Sequence, residues 1–307
     1  MASLKELEDK ALEISKSPDK LKELLEEALT LLSNEKSESY RVGGGVLLPC
    51  EGEFLVVGDI HGDFDTLVKL LDTGGATSLL EEGGYLVFLG DYVDRGPMQV
   101  ESMVIALLFK LKYPEQVVTL RGNHEPPPDL KPFPHDFPDV LISRYGKEGV
   151  KLYDAFAKLF QLLPYVAIAK GSLLLLHGGP PTAFPESGDY KEYLSLNAET
   201  PNPLVLEEVL WNDPDEYVDD WAPSPRGAGR LFGRKVTERA LRITSTRIIV
   251  RGHEPATRGF KFNHNSKVLT LFSRLGPPYD NETAAYLRVD TGDDDWHEKI
   301  KSYVKLI

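Results

Sequence analysis

Along the first 33 positions, apolar residues recur at helical spacing among charged ones: Leu4, Leu7, Ala11 and Ile14, then Leu21, Leu24, Leu25, Ala28 and Leu32. That period predicts two helices, each with one buried stripe. Ser17-Pro18 divides them; serine suits an N-cap, and proline in the first turn forfeits no helical hydrogen bond. The expectation is a helical segment, residues 1–40, packed on a main domain, residues 41–307, with 34–45 and its Gly43-Gly44-Gly45 as linker.

Beyond Gly45 the pattern changes. Short β-rich runs at 54–57, 85–89, 117–120, 173–176, 247–250, 268–272 and 285–289 alternate with helical ones near 64–72, 98–112, 148–162, 205–210 and 235–244. The first half reads βαβαβ, which implies a mostly parallel central sheet covered by helices. The second half carries more strands per helix, so a second sheet is expected to pack on the first. The predicted class is α/β.

Composition narrows the partners. Among 307 residues the formal net charge is −13, the wrong sign for a nucleic-acid binder. A phosphate-bearing substrate stays open, because bound divalent cations reverse the sign locally. No apolar run approaches the length of a membrane span, and the charged start MASLKELEDK lacks an apolar secretory core. The single cysteine, Cys50, fits a reducing compartment, so a cytoplasmic protein is expected.

Five of the strand candidates end abruptly in polar clusters: Gly58-Asp59-Ile60-His61-Gly62, Gly90-Asp91-Tyr92-Val93-Asp94-Arg95-Gly96, Arg121-Gly122-Asn123-His124-Glu125, His177-Gly178-Gly179 and Arg251-Gly252-His253-Glu254. The carboxyl ends of strands in an α/β sheet line one crevice, so these clusters converge despite their separation in sequence. Asp59, His61, Asp91, Asn123, His177 and His253 offer oxygen and nitrogen ligands without thiolate, a set suited to Mn, Fe, Zn or a similar divalent ion. Asp59 and His61 project to one side of an extended chain. Six ligands are too many for one catalytic ion with open positions; two ions fit, with Asp91 the natural bridge. The other histidines, His135, His264 and His297, fall in no cluster and read as structural.

The ordered set GDIHG, GDYVDRG, RGNHE, HGG and RGHE resembles the phosphoprotein phosphatase family of the calcineurin-like metallophosphoesterases. Leu210-Trp211-Asn212-Asp213-Pro214, Pro225-Arg226-Gly227-Ala228-Gly229 and Leu271-Phe272-Ser273 extend the likeness over residues 45–295. The resemblance implies a β-sandwich of two mixed sheets flanked by helices, with 41–307 as the catalytic domain. It implies hydrolysis of phosphoserine and phosphothreonine in proteins by in-line attack of a hydroxide bridging two divalent metals, Mn foremost, with Fe, Zn, Co or Ni as alternatives. Carried onto this sequence, Asp59 and His61 belong to the first metal, Asp91 to both, and Asn123, His177 and His253 to the second. His124 becomes the general acid and Asp94 its orienting partner, while Arg95 and Arg226 hold the phosphate.

Some features depart from that pattern. Eukaryotic members carry Ser-Ala-Pro-Asn-Tyr-Cys late in the catalytic domain; here the stretch is Ser273-Arg274-Leu275-Gly276-Pro277-Pro278-Tyr279, which leaves the register of Tyr279 open. A proline-heavy run, residues 126–139, follows Glu125 and is expected to reshape the groove. With the chain stopping just after its last strand, these features suggest a prokaryotic, archaeal-type member. Glu125 is read as holding its loop or touching metal, and Arg121 and Arg251 as pairing with buried carboxylates or phosphate. The alternative substrate is a nucleotide, as in symmetrical cleavage of a dinucleoside tetraphosphate.

Overall fold

The computed structural model describes residues 3–182 and 188–307. Its frame is a pair of sheets whose side chains follow the strand period of two. In the strand Glu53–Val57, Phe54 and Val56 face the opposite sheet, while Leu55 and Val57 face a helical layer. In Leu173–Leu176, Leu173 and Leu175 point between the sheets and Leu174 and Leu176 away from them. Both faces are buried, which explains why these runs read as continuous apolar stretches rather than as alternation.

The first sheet has five strands in the order Val304–Leu306, Ala285–Asp290, Glu53–Val57, Tyr85–Phe88 and Val117–Thr119. The last three run parallel to one another, and Ala285–Asp290 is antiparallel to both of its neighbours. The second has seven: Arg41–Val42, Gly45–Leu48, Val166–Ala169, Leu173–Leu176, Ile248–Arg251, Val268–Leu271 and Phe260–Asn263. It too is mixed. The expected α/β sandwich of two mixed sheets flanked by helices is what forms.

The two sheets touch at the end that carries the polar clusters. Asp59 bridges to Phe272, and Ser273 Oγ accepts the Gly58 N–H at 2.7 Å. A Cβ on Gly58 would lie 2.2 Å from the Leu271 carbonyl oxygen, so only glycine admits this approach.

The N-terminal helices run Leu4–Ile14 and Pro18–Glu35, with Ser3 and Ser17 as N-caps. Their stripes join the core that covers the outer face of the five-stranded sheet, beside Gln99–Lys112 and Lys147–Leu162. Residues 34–45 are not a free linker: Arg41–Val42 and Gly45–Leu48 form the edge of the larger sheet. Among the described residues no helix is long and apolar enough to cross a membrane.

Candidate active site

The polar clusters meet where the carboxyl ends of both sheets come together, rather than along one sheet. The chain leaves each strand through a tight turn, and His61, Asp91, Asp94, Arg95 and His253 all adopt left-handed backbone, with φ of 44°, 55°, 65°, 74° and 70°. Such conformations cost non-glycine residues about 1–3 kcal/mol and persist only where the surroundings impose them. At Asp91 the imposing group is Glu125. Its carboxylate accepts the N–H groups of Asp91 at 2.8 Å, Tyr92 at 2.9 Å and Gly122 at 2.9 Å. Glu125 therefore holds the loops, which resolves one of the two readings left open for it.

The six expected ligands are all buried and all converge. The ring of His61 donates through Nδ1 to the Val93 carbonyl at 2.9 Å, which turns the Nε2 lone pair toward Asp91 Oδ2 at 3.3 Å and Asp59 Oδ2 at 3.9 Å. His177 donates through Nδ1 to the Leu89 carbonyl at 3.0 Å, and its Nε2 lies 3.3 Å from Asp91 Oδ1. Asn123 Oδ1 is 2.9 Å from His177 Nε2 and 3.1 Å from His253 Nδ1. The same amide position is 3.1 and 3.2 Å from the two Asp91 oxygens.

Acceptors thus crowd two neighbouring points, one shared by Asp59, His61 and Asp91, the other by Asp91, Asn123, His177 and His253. Converging lone pairs in a buried site fit cations better than each other. Electrostatics agrees. Burial first, and then the Asp91 charge, push Asp59 up to about 7, so two ionised carboxylates side by side need compensation. Burial drives His61 down to about 3, leaving a neutral ring with a free lone pair. The same cause takes His253 well below the ordinary histidine range.

Beside this centre, His124 Nδ1 lies 2.5 Å from Asp94 Oδ2, and the His124 N–H donates to Asp91 Oδ1 at 2.9 Å. Arg95 and Arg226 line the cleft above, which holds about 630 Å³ and is walled further by Trp211, Phe133 and Tyr279. Arg226 Nε donates to Asp213 Oδ2 at 2.6 Å. Arg251 is fully buried and binds Asp213, Glu254 and two carbonyls, and Arg121 Nε donates to the Glu125 carbonyl at 2.7 Å. Both arginines are structural.

Some residues escaped the sequence reading. Tyr279 stacks on His61 with ring centroids 5.8 Å apart, which fixes its register against the site. His135 is corrected outright: its Nδ1 lies 2.7 Å from Asp94 Oδ2, the oxygen that His124 also holds. Its position inside a proline-rich run gave no periodic or motif signal. The readings for His264 and His297 hold: His264 is buried against Thr237 and the Asp215 carbonyl, and His297 lies at the surface by Arg247.

Residues 52–256 match the calcineurin-like phosphoesterase family. The chain belongs to that family. Within it, the sequence is 37% identical over 227 residues to the catalytic subunit of serine/threonine-protein phosphatase 6 from Caenorhabditis elegans, covering 74% of this chain and 66% of that protein. It is 33% identical over 281 residues to the serine/threonine-protein phosphatase SIT4 of Candida albicans, covering 90% of this chain and 84% of that one. In fold it resembles a serine/threonine phosphatase of Saccharomyces cerevisiae with similarity to human PP5, with a TM-score of 0.72, 24% identity, and coverage of 95% and 89%. Sequence groups the chain with the serine/threonine protein phosphatases.

Proposed function

We propose that this protein is a cytoplasmic serine/threonine protein phosphatase that binds two divalent metal ions and removes phosphate from phosphorylated proteins. The observation that carries the reading is the double convergence of buried acceptors on Asp91, flanked by the His124–Asp94 pair and by two cleft-lining arginines.

In this reading Asp59, His61 and Asp91 hold one ion and Asp91, Asn123, His177 and His253 the other. Manganese is the favoured ion, with Fe, Zn, Co or Ni as alternatives, because oxygen and nitrogen sites of this kind follow availability. Such ions supply positive charge for the phosphoryl group and an acidified water. The chain's own residues do the rest. Arg95 and Arg226 orient the phosphate through planar N–H forks. His124 Nε2 faces away from Asp94 and delivers a proton to the departing serine or threonine oxygen, which leaves poorly as an alkoxide. Asp94 keeps the His124 proton on Nδ1 and favours the charged ring.

The test is phosphate release from a phosphothreonine peptide and from diadenosine tetraphosphate in parallel, on metal-stripped protein with and without Mn²⁺. Manganese-dependent turnover of the peptide alone is expected. Turnover of the dinucleotide alone would replace the substrate while keeping the metal centre. Bound metal with neither substrate consumed would favour a binding role.

A further inference from the structure

Three consecutive residues at the end of the proline-rich run fasten onto one turn. Phe137 N–H donates to Asp94 Oδ1 at 2.8 Å. Asp136 takes the Arg95 N–H on Oδ1 at 3.0 Å and the Gln99 amide on Oδ2 at 3.0 Å, and Gln99 in turn accepts the Asp94 N–H at 2.9 Å. His135 supplies the third contact, Nδ1 to Asp94 Oδ2 at 2.7 Å. Its other nitrogen, Nε2, is 2.9 Å from the Tyr153 hydroxyl on the helix Lys147–Leu162. The His135 side chain is only 7% exposed and that of Asp94 not at all.

These contacts fix the protons. A carboxylate oxygen only accepts, so His135 Nδ1 carries the hydrogen it donates to Asp94, and Nε2 accepts from Tyr153. A buried chain therefore runs Tyr153, His135, Asp94, His124. Both Asp94 oxygens are occupied, one by the Phe137 amide and one by two imidazoles. The Phe137 amide anchors Oδ1, and the His135 ring gives Oδ2 a second, buried donor that keeps this oxygen in place beneath His124.

We infer that His135 is a positioning residue for the phosphatase reaction: it holds Asp94, and through Asp94 it aims His124 at the leaving oxygen of an alkyl phosphate. It is not among the residues that line the cleft, and its side chain bonds to Asp94 and Tyr153 rather than to the expected metal ligands. The same run contributes Leu130 and Phe133 to the cleft wall, so the seat of the substrate loop and the seat of the acid are one structure.

The inference rests on the proposed function, and the experiment separates the two. His135→Ala, His135→Asn and Tyr153→Phe are compared with the parent on a phosphothreonine peptide and on p-nitrophenyl phosphate. The peptide's alkoxide needs a proton, whereas p-nitrophenolate leaves without one. His135→Ala should lower kcat for the peptide by about 10- to 100-fold with KM nearly unchanged, while p-nitrophenyl phosphate turnover stays within about twofold. His135→Asn, whose amide can replace the Nδ1–H donor, should recover most of the loss, and Tyr153→Phe should show a smaller version of the same split. Equal losses on both substrates would reduce His135 to a folding role, and no loss on either would remove it from the reaction; both overturn the inference and leave the function standing. A parent inactive on both substrates would overturn the function and this inference with it.

Discussion

Arg226 and Asp213 are joined by an Nε–Oδ2 hydrogen bond of 2.6 Å, and the other Asp213 oxygen lies 2.8 Å from Arg251 Nη2 and 3.8 Å from His253 Nε2. Burial would raise the Asp213 pKa, but the Arg251 and Arg226 guanidinium groups outweigh it and hold the carboxyl below the ordinary carboxylate range. One carboxylate thus ties a cleft arginine to an expected metal ligand. Arg226→Ala removes a charge-assisted contact of about 1.5–3 kcal/mol, so the inhibition constant of inorganic phosphate should rise by about 10- to 100-fold. Arg226→Lys keeps the charge but loses the planar fork and should fall between. Phosphate inhibition unchanged in Arg226→Ala would take this residue out of the phosphate clamp.

The proposed acid predicts an alkaline limit. Burial pulls the His124 pKa down, but the neighbouring Asp91 and Asp94 prevail and raise it above the ordinary histidine value of about 6.5. A raised value means the protonated acid is present below it and is lost as pH climbs through it. Turnover of a phosphothreonine peptide should therefore fall on the alkaline side as His124 loses its proton. Asp94→Asn removes one source of the increase, so the limb should move toward acid and kcat should drop about 100-fold or more. The pH profile of kcat for parent and variant checks both; a limb that stays in place in Asp94→Asn would reassign the acid.

The candidate site was legible in the sequence because its residues follow strands as motifs: GDIHG and GDYVDRG announce both the residue types and the turn that presents them. Asp59, His61, Asp91, Asn123, His177 and His253 lie together in the structure, buried at the ends of strands from both sheets. What was lost has no local period. The strand Val166–Ala169 follows the helix Lys147–Leu162 with only three residues between, so its apolar run merges with the helical one. Strands such as Trp221–Pro223 and Arg230–Phe232 are too short to show alternation and exist through pairing with each other. Arg41–Val42 and Gly45–Leu48 were hidden by glycines that read as linker. His135 is the instructive case, since its partner Asp94 lies 41 residues away and the proline-heavy run around it pointed to the groove rather than to Asp94.

Asp91 touches both halves of the expected metal centre, with Oδ2 3.3 Å from His61 Nε2 and Oδ1 3.3 Å from His177 Nε2. Asn123 meets the histidines of one half alone, His177 and His253. The two positions should separate in metal content. After loading with Mn²⁺ and removal of excess, Asp91→Asn should retain almost no manganese, whereas Asn123→Ala should keep part of it, because second-metal ligands alone are weakened. Elemental analysis of the purified variants, alongside circular dichroism to confirm folding, gives the answer. Equal manganese in Asp91→Asn and parent would rule out Asp91 as the bridge.

The N-terminal helices are fastened by a buried charge. Glu35, at the end of the helix Pro18–Glu35, is 2% exposed; it pairs with Lys110 through Oε1, accepts the Tyr40 hydroxyl at 3.1 Å, and has Arg41 Nη1 4.0 Å from Oε2. Burial pushes the pKa of both Lys110 and Arg41 down, and the Glu35 carboxylate opposes that shift in each. Glu35→Ala leaves Lys110 and Arg41 in the interior with carbonyl acceptors but no counter-charge, and should cost about 3–5 kcal/mol in urea unfolding. The double change Glu35→Leu with Lys110→Met removes the pair together and should restore much of the loss, since a buried ion pair often gives little over apolar packing. Arg41 retains carbonyl partners at Gly43 and Leu162, both at 2.9 Å, so it can stay in place in the double variant. A Glu35→Ala protein within about 1 kcal/mol of the parent would mean that water reaches Lys110, and that the apolar stripes of the two helices, not this charge, hold them to the sheet.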